Sequence, residues 1–162
     1  MALILIADDD ELIVEMVAEA LRPRGHIVET LDDGVHVADI VATRHPALVV
    51  LDCAMPKMGG IEVLRTIRAS ATGFDTRVLM LTGRRSGADE EIAIRAGADD
   101  YLRKPFAVAE LVNRAERLLA TETRPGATTT LFNRRRGLER RSDGCSPGDG
   151  IAEEVAVRSA SS

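Results

Sequence analysis

The sequence predicts a doubly wound α/β domain, in which five helices cover both faces of a five-stranded parallel sheet. Apolar runs of strand length alternate with segments of helical period as far as residue 120. The runs are apolar throughout, as in strands that are buried on both faces of a parallel sheet. Because each connection is long enough to hold a crossover helix, we expect the functional site at the carboxyl ends of the strands.

The first two strand–helix units are separated by strong breaks. Residues 2–7 form strand 1, and residues 11–22 form a helix whose apolar residues recur at helical spacing. The Pro23–Gly25 break precedes a short second strand at residues 26–30. The second helix, residues 34–44, is expected to stop before the next proline, because a residue ahead of proline is biased away from helical geometry.

The remaining three units repeat the pattern. Strand 3, residues 47–52 (ALVVLD), leads through a Met-Pro and a Gly-Gly into a helix at residues 60–70 with one apolar face. Such a smooth apolar strand fixes the carboxylate at its tip, and the glycine-rich turn leaves room beside it. The last two units are predicted as strand 76–83 with helix 87–98, and strand 100–103 with helix 107–120.

Composition limits the classes of function. The 162 residues are 45% hydrophobic with one Tyr and three Phe, so the core is aliphatic, and the net charge of −5 argues against general nucleic-acid binding. Cys53 and Cys145 fit neither a disulfide framework nor a zinc site. The N-terminal apolar run is too short to span a membrane and lacks a basic leader. We therefore expect a cytoplasmic protein without membrane insertion.

The character of the chain changes after residue 120. Residues 1–120 carry a net charge of −6, whereas residues 121–162 carry +1 and too few apolar residues for a second core. The expected organisation is one domain at 1–120, followed by a linker and a disordered basic and polar tail without an output domain. The basic run RRRGLERR within that tail is either a solvated segment or one that touches nucleic acid or anionic lipid by charge.

Acidic residues follow two strands that are neighbours in a doubly wound sheet. Asp8 and Asp9 follow strand 1, and Asp52 ends strand 3, so their carboxylates converge on one edge. Such like charges repel unless a cation is present, and hard oxygen ligands with open positions suit Mg²⁺. Thr82 and Lys104 end the fourth and fifth strands at the same edge. Acids, a hydroxyl and an ammonium are what phosphoryl transfer onto a carboxylate needs.

Four motifs occur together in this order: ADDD at 7–10, LDCAMPKMGG at 51–60, LTG at 81–83 and GADDYLRKPF at 97–106. With them the chain resembles a response-regulator receiver domain of two-component signalling, of the single-domain chemotaxis and cell-cycle type. The resemblance covers about the first 120 residues and implies a flavodoxin-like fold with strand order 2-1-3-4-5. Any one motif is weak evidence, whereas the four together are specific.

The resemblance implies roles for the acids. Asp52 would be the phosphoacceptor, and Asp8 and Asp9 would form the acidic pair of the metal site. Mg²⁺ would be held by Asp9, Asp52 and the backbone carbonyl of Ala54.

The resemblance also implies roles for three residues on the fourth and fifth strands. Thr82 would hydrogen-bond the phosphoryl group, Lys104 would pair with it, and Tyr101 would be the aromatic switch residue coupled to Thr82. The composition also supports a functional role for Lys104, because the chain has only two lysines and nineteen arginines. A lysine retained in an arginine-rich chain indicates a need for a compact point charge. A cis Lys104–Pro105 peptide bond would turn this lysine into the site.

The implied partners are a histidine kinase or a histidine phosphotransfer protein, which would dock on the first helix and the loop after strand 5. An unidentified downstream protein would read the fourth and fifth units, where Arg84, Arg85, Arg95 and Arg103 suggest a basic face. The resemblance also allows a phosphorylation-dependent homodimer. The implied chemistry is Mg²⁺-dependent self-phosphotransfer and self-dephosphorylation, without turnover of a small substrate.

Two rival functions belong to other classes. A nucleic-acid regulator would act through the basic tail, and loss of salt-sensitive DNA binding on tail deletion would favour it. A phosphoaspartate hydrolase would share the acid at the strand end. Such enzymes usually place a second acid two residues beyond the nucleophile, a position that Ala54 occupies here.

Overall fold

The computed structural model describes residues 1–83 and 87–121, with the side chains of residues 87–89 excepted. The predicted tail and Arg84 and Arg85 of the predicted basic face lie outside the described residues. The strands are β1 Leu3–Ala7, β2 Ile27–Leu31, β3 Leu48–Asp52, β4 Arg77–Thr82 and β5 Asp100–Arg103. The helices are α1 Glu11–Leu21, α2 Val37–Arg44, α3 Gly60–Ala69, α4 Gly87–Ala96 and α5 Val108–Ala120, and a 3₁₀ turn covers Arg22–Arg24. No helix in the described ranges is long and apolar enough to cross a membrane.

The five strands form one parallel sheet in the order β2-β1-β3-β4-β5, which confirms the predicted fold class and strand order. Side chains of the central strands alternate between two apolar layers. On one face Ile6, Val50 and Leu81 pack with residues of α1 and α5. On the other face Leu51 and Met80 pack with residues of α2, α3 and α4. All residues of β3 and β4 are buried, as expected of strands covered on both faces.

Two helices, α2 and α4, differ from their predicted bounds by more than one residue, and local hydrogen bonding and backbone conformation explain both differences. Helix α2 begins three residues later than predicted, because the Asp33 side chain accepts the Val35 N–H at 3.0 Å and holds a turn. Gly34 in this turn has no room for a side chain, since a Cβ there would lie 2.4 Å from the Met58 carbonyl oxygen. Helix α4 ends at Ala96, and Gly97 follows it with a φ of 103° in the left-handed region.

The ends of β1 and β3 are fixed by the helices that follow them. Asp10 caps α1, and its carboxylate accepts the N–H groups of Leu12 and Ile13 at 3.0 and 3.4 Å. Helix α3 starts directly against the end of β3, since a Cβ on Gly60 would lie 2.0 Å from the Asp52 carbonyl oxygen. The close approach therefore depends on glycine and holds the turn after Asp52 against the sheet.

Candidate functional site

Three carboxylates meet at the carboxyl edge of the sheet, as expected from the strand order. Asp8 and Asp9 directly follow β1, Asp52 ends the neighbouring β3, and one carboxylate oxygen from each lies within 4.8 Å of the others. Asp8 and Asp52 are buried, with 1% and 3% of their surface exposed, whereas Asp9 is exposed. The edge thus combines two acids fixed in the fold with one that faces solvent.

Lys104 joins the two buried acids. Its Nζ lies 2.6 Å from Asp8 Oδ2 and 2.8 Å from Asp52 Oδ1. The Lys104 N–H donates to the Thr82 carbonyl at 2.7 Å, and the Lys104–Pro105 peptide bond is cis. The ammonium is therefore directed to the acids by backbone and by charge.

Burial and neighbouring charges act in opposite directions on the pKa values of Asp8 and Lys104. Burial raises the pKa of Asp8 above its ordinary value, although the hydrogen bond from Lys104 opposes the rise. Burial alone lowers the pKa of Lys104, but hydrogen bonds to Asp52 and Asp8 outweigh it, and that pKa is raised. Lys104 therefore stays protonated across the physiological range and compensates the buried carboxylates.

The Asp52 carboxylate is held from both sides. The Ala54 N–H donates to Asp52 Oδ2 at 2.9 Å, and Lys104 contacts the other oxygen. The next residue, Cys53, donates its N–H to the Leu81 carbonyl of β4 at 2.9 Å. Ala54 itself is exposed on the rim of a cleft of about 780 Å³ whose lining also includes Asp9, Asp10, Glu11, Leu12, Asp52, Gly83 and Lys104. The carboxylate is therefore fixed in orientation while the space beside it is open.

Thr82 ends β4 beside this cluster and is 1% exposed. Its Oγ1 is buried and has no hydrogen-bond partner within the described part of the chain. A buried hydroxyl without a partner is unfavourable, so a polar group that enters the cleft would satisfy it. The sequence places this hydroxyl correctly at the strand end next to Lys104.

The donor set suits a magnesium ion. Three clustered carboxylates and the exposed Ala54 residue offer hard oxygen ligands, and the open cleft leaves room for water ligands. Both oxygens of Asp8 are already engaged, one by Lys104 and the other by the Asp10 N–H at 3.0 Å. Both oxygens of Asp52 are likewise engaged, by Lys104 and by the Ala54 N–H, so the exposed Asp9 is the acid of the three best placed to supply a direct ligand.

Tyr101 lies on the same face of the sheet as Thr82 but further from the edge. It is half-buried, and it pairs in register with Met80, two residues before Thr82. A hydrogen bond to the Glu90 carboxylate raises the pKa of the Tyr101 hydroxyl above its ordinary value. Glu90 also forms an ion pair with Arg103. The Tyr101 ring is therefore tied to α4, and it is absent from the described lining of the acidic cleft.

The face formed by α4, β5 and α5 is less basic than the sequence suggests. Arg95 lies 2.5 Å from Glu91, and Arg103 pairs with Glu90. On the same face Asp100 accepts Arg114 and Arg117 at 2.9 and 2.7 Å. Among the described residues this surface is a set of ion pairs, because acids on α4 and β5 neutralise the arginines.

Sequence reasoning missed a second lysine contact near the site. Lys57, in the turn after β3, lies 2.6 Å from Asp33 in the turn after β2. The rarity of lysine, which drew attention to Lys104, applies equally to Lys57 and was a usable signal. The partner could not be identified, because it depends on how the two loops pack.

Fold and site together define a class of domain, a parallel α/β module that presents a fixed carboxylate beside clustered acids and a lysine. The particular family follows from comparison with known proteins. Residues 4–116 match the model of the response regulator receiver domain, and the chain belongs to that family. It is thus a receiver domain of two-component systems, which confirms the resemblance seen in the sequence.

Relatives and solved structures support this assignment. Response regulator MprA of Mycobacterium sp. (strain KMS) is 44% identical over 116 residues, which are 72% of this chain and 50% of the relative. The chain spans about half the length of the curated relatives it matches. The chemotaxis response regulator CheY4 of Vibrio cholerae is 30% identical with a TM-score of 0.68, covering 73% of this chain and 98% of that chain. The receiver domain of sensor histidine kinase PA1611 of Pseudomonas aeruginosa, solved with a magnesium ion in its active site cleft, is 28% identical with a TM-score of 0.68, covering 74% and 98%.

Proposed function

We propose that Asp52 accepts a phosphoryl group from a phosphohistidine of a histidine kinase or histidine phosphotransfer protein. The observation that carries the proposal is the state of the Asp52 carboxylate, which is buried and oriented by Ala54 and Lys104 yet opens on a cleft. A carboxylate held in one orientation is prepared for attack on a phosphorus atom that is brought close to it.

The phosphoryl transfer needs no further reactant, because one bond to phosphorus forms as another breaks. An Asp52 oxygen forms the new bond to phosphorus as the phosphorus–nitrogen bond of the donor breaks, and the electron pair stays on the imidazole nitrogen. The Lys104 ammonium compensates negative charge on the phosphoryl oxygens, and the Thr82 hydroxyl can donate to one of them. The chain's own groups thus supply the nucleophile, a cation and a donor.

Asp9, Asp52 and the Ala54 carbonyl would hold Mg²⁺ in this account, with Asp8 completing the acidic pair. When bound, the ion neutralises charge on the phosphoryl group. The support is the clustered oxygen donors of this chain and the magnesium in the cleft of the related PA1611 receiver domain.

The donor protein would dock beside the cleft. Leu12 and Met16 of α1 are 66% and 38% exposed, although both are large apolar residues. Met16 and Phe106 also line a groove that continues from the acidic cleft along α1 and the loop after β5. Exposed apolar side chains at the mouth of a site are typical of a surface that a partner covers.

The output would be a change of partner at the α4–β5–α5 face, in a cytoplasmic signalling pathway. A phosphoryl group on Asp52 would draw the unpartnered Thr82 hydroxyl towards it, and Tyr101 would exchange its contact with Glu90 for a position nearer Thr82. A downstream protein, or a second copy of the chain, would then recognise the altered surface.

Intact-mass spectrometry after incubation with acetyl phosphate and Mg²⁺ tests the proposal. We expect one phosphate-sized adduct on the wild-type chain, and none on Asp52→Ala or when Mg²⁺ is removed with a chelator. Asp39→Ala, which removes an acid on α2, is the matched control and keeps the adduct. An adduct of equal yield on Asp52→Ala would contradict the assignment.

A further inference from the structure

The turn that carries the Ala54 carbonyl is tied to a neighbouring loop by an ion pair. Lys57 Nζ lies 2.6 Å from Asp33 Oδ2, and the other oxygen of Asp33 accepts the Val35 N–H at 3.0 Å. Asp33 is 6% exposed, so its carboxylate is fixed within the fold rather than free in solvent. Lys57 therefore meets a rigid acceptor.

The backbone at Lys57 has a geometry that lysine rarely adopts. Its φ is 65°, in the left-handed region where a Cβ is crowded and glycine is favoured. A strained residue persists where its surroundings hold it, and here the side chain supplies the anchor. Lys57 is also one of only two lysines in the chain.

A short and stiff stretch of chain connects Lys57 with Ala54. Of the two residues between them, Met55 is buried in the core and Pro56 has a fixed φ. Beyond Lys57, the Met58 carbonyl packs against Gly34, where no side chain fits. A displacement of Lys57 is therefore passed to Ala54 instead of being absorbed between them.

We propose that the Asp33–Lys57 ion pair is a positioning pair that fixes the Ala54 carbonyl and so sets the affinity of the site for Mg²⁺. The inference rests on the proposed function, in which that carbonyl is a metal ligand. Neither residue touches the metal, and the pair acts through the turn.

The proposal is testable, because an effect of charge alone would change the Mg²⁺ affinity of the Lys57 and Asp33 variants differently. If the two side chains acted only through space, loss of the Lys57 charge would strengthen binding of a cation, and loss of the Asp33 charge would weaken it. Positioning predicts that either loss weakens binding. The two explanations therefore predict opposite changes in Mg²⁺ affinity when Lys57 loses its charge.

The experiment is calorimetric titration of the full chain with MgCl₂ at fixed ionic strength. We expect Lys57→Met and Asp33→Asn each to weaken Mg²⁺ binding by about tenfold, with little further loss in the double variant. Lys57→Arg, which keeps the charge, retains most of the affinity. Arg44→Met removes a charge of the same sign from an exposed pair with Glu29 and leaves the affinity unchanged.

Amide hydrogen exchange gives a second readout that a general loss of stability would not produce. Exchange in residues 54–58 accelerates in Lys57→Met, while the core strands keep their wild-type protection. Tighter Mg²⁺ binding by Lys57→Met, or unchanged affinity in both variants, would overturn the positioning role and leave the proposed function intact. Failure of the wild-type chain to bind Mg²⁺ would overturn both proposals.

Discussion

Asp8 and Lys104 show how one partly buried ammonium makes an acidic cleft compatible with a stable fold. The lysine contacts Asp8 and Asp52 at 2.6 and 2.8 Å, and both carboxylates are almost fully buried. Two acids this close raise each other's pKa unless a cation compensates them. Lys104 therefore has a structural role that does not depend on phosphoryl transfer.

This balance predicts how Asp8 titrates. Its pKa is already raised by burial, and Lys104→Met removes the hydrogen bond and the charge that oppose the rise, so the pKa increases further. The carboxyl ¹³C chemical shift of Asp8, followed by NMR between pH 2 and pH 8, measures the change. An unchanged pKa in Lys104→Met would contradict this account of the site.

The raised pKa of Asp8 also determines how this residue changes the free energy of unfolding with pH. The folded chain binds the Asp8 proton more tightly than the unfolded chain, whose ordinary pKa is 3.8. The contribution of Asp8 to the free energy of unfolding is therefore fully present below pH 3.8 and is lost as the pH rises through the folded value.

Single residues also show where sequence reasoning succeeds and fails. Asp52, Thr82 and Lys104 could be placed because each ends or directly follows a strand, and parallel strands end at one edge. The contact between Asp33 and Lys57 could not be placed, because it joins two loops whose packing depends on Gly34. Strand ends are set by periodicity, whereas loop-to-loop contacts are set by tertiary structure.

At the scale of elements, an internal ion network joins α3, β4 and the turn before β5. Asp99 accepts Arg68 Nη2 at 2.8 Å and Arg77 Nη1 at 3.3 Å, and the Val78 N–H donates to the same carboxylate at 2.8 Å. The side chains of Asp99, Arg68 and Arg77 are between 7% and 10% exposed. Arg68 also donates to the Gly97 carbonyl at 2.9 Å. One acid thus orders three elements.

Loss of that acid should be strongly destabilising. Asp99→Asn removes the negative charge between two buried guanidinium groups, and we expect the free energy of unfolding to fall by about 3–5 kcal/mol. Urea unfolding measures the change. Glu91→Gln, which removes an exposed partner of Arg95 on α4, is the control and costs less than about 1 kcal/mol. Equal effects of the two substitutions would show that the network is not a stabilising element.

Element boundaries were predictable only where a strong local signal exists. The apolar spacing predicts that the second helix starts at residue 34. The helix α2 starts instead at Val37, because the Asp33 side chain accepts the Val35 N–H. The glycine at residue 97 ends α4 earlier than the apolar pattern suggests. Side-chain capping and backbone chirality thus override periodicity at the ends of helices.

At the level of the whole molecule, the fold class could be predicted because the central strands β1, β3 and β4 are largely apolar and buried and the crossovers are long. The contact of Tyr101, the proposed switch residue, with Glu90 could not be predicted to the same depth, because it depends on how α4 sits against β5. The role predicted for the tail stays a prediction, because residues 122–162 lie beyond the described part of the chain.

Deletion of residues 122–162 separates signalling by phosphorylation from nucleic-acid binding. Every candidate site residue lies between Asp8 and Lys104, so we expect the truncated chain to take up phosphate as the full chain does. The full chain carries a net charge of −5, and we expect no salt-sensitive DNA binding by either form in a fluorescence anisotropy titration. DNA binding that is lost on truncation would favour the nucleic-acid alternative.

Mapping of the modified residue tests whether Asp52 itself carries the phosphoryl group. The chain is treated with acetyl phosphate and Mg²⁺, reduced with borohydride, digested and sequenced by mass spectrometry. An aspartyl phosphate is reduced with loss of phosphate, so we expect homoserine at residue 52 in the peptide that contains Cys53 and Ala54. Homoserine at another acidic residue, with residue 52 unchanged, would contradict it.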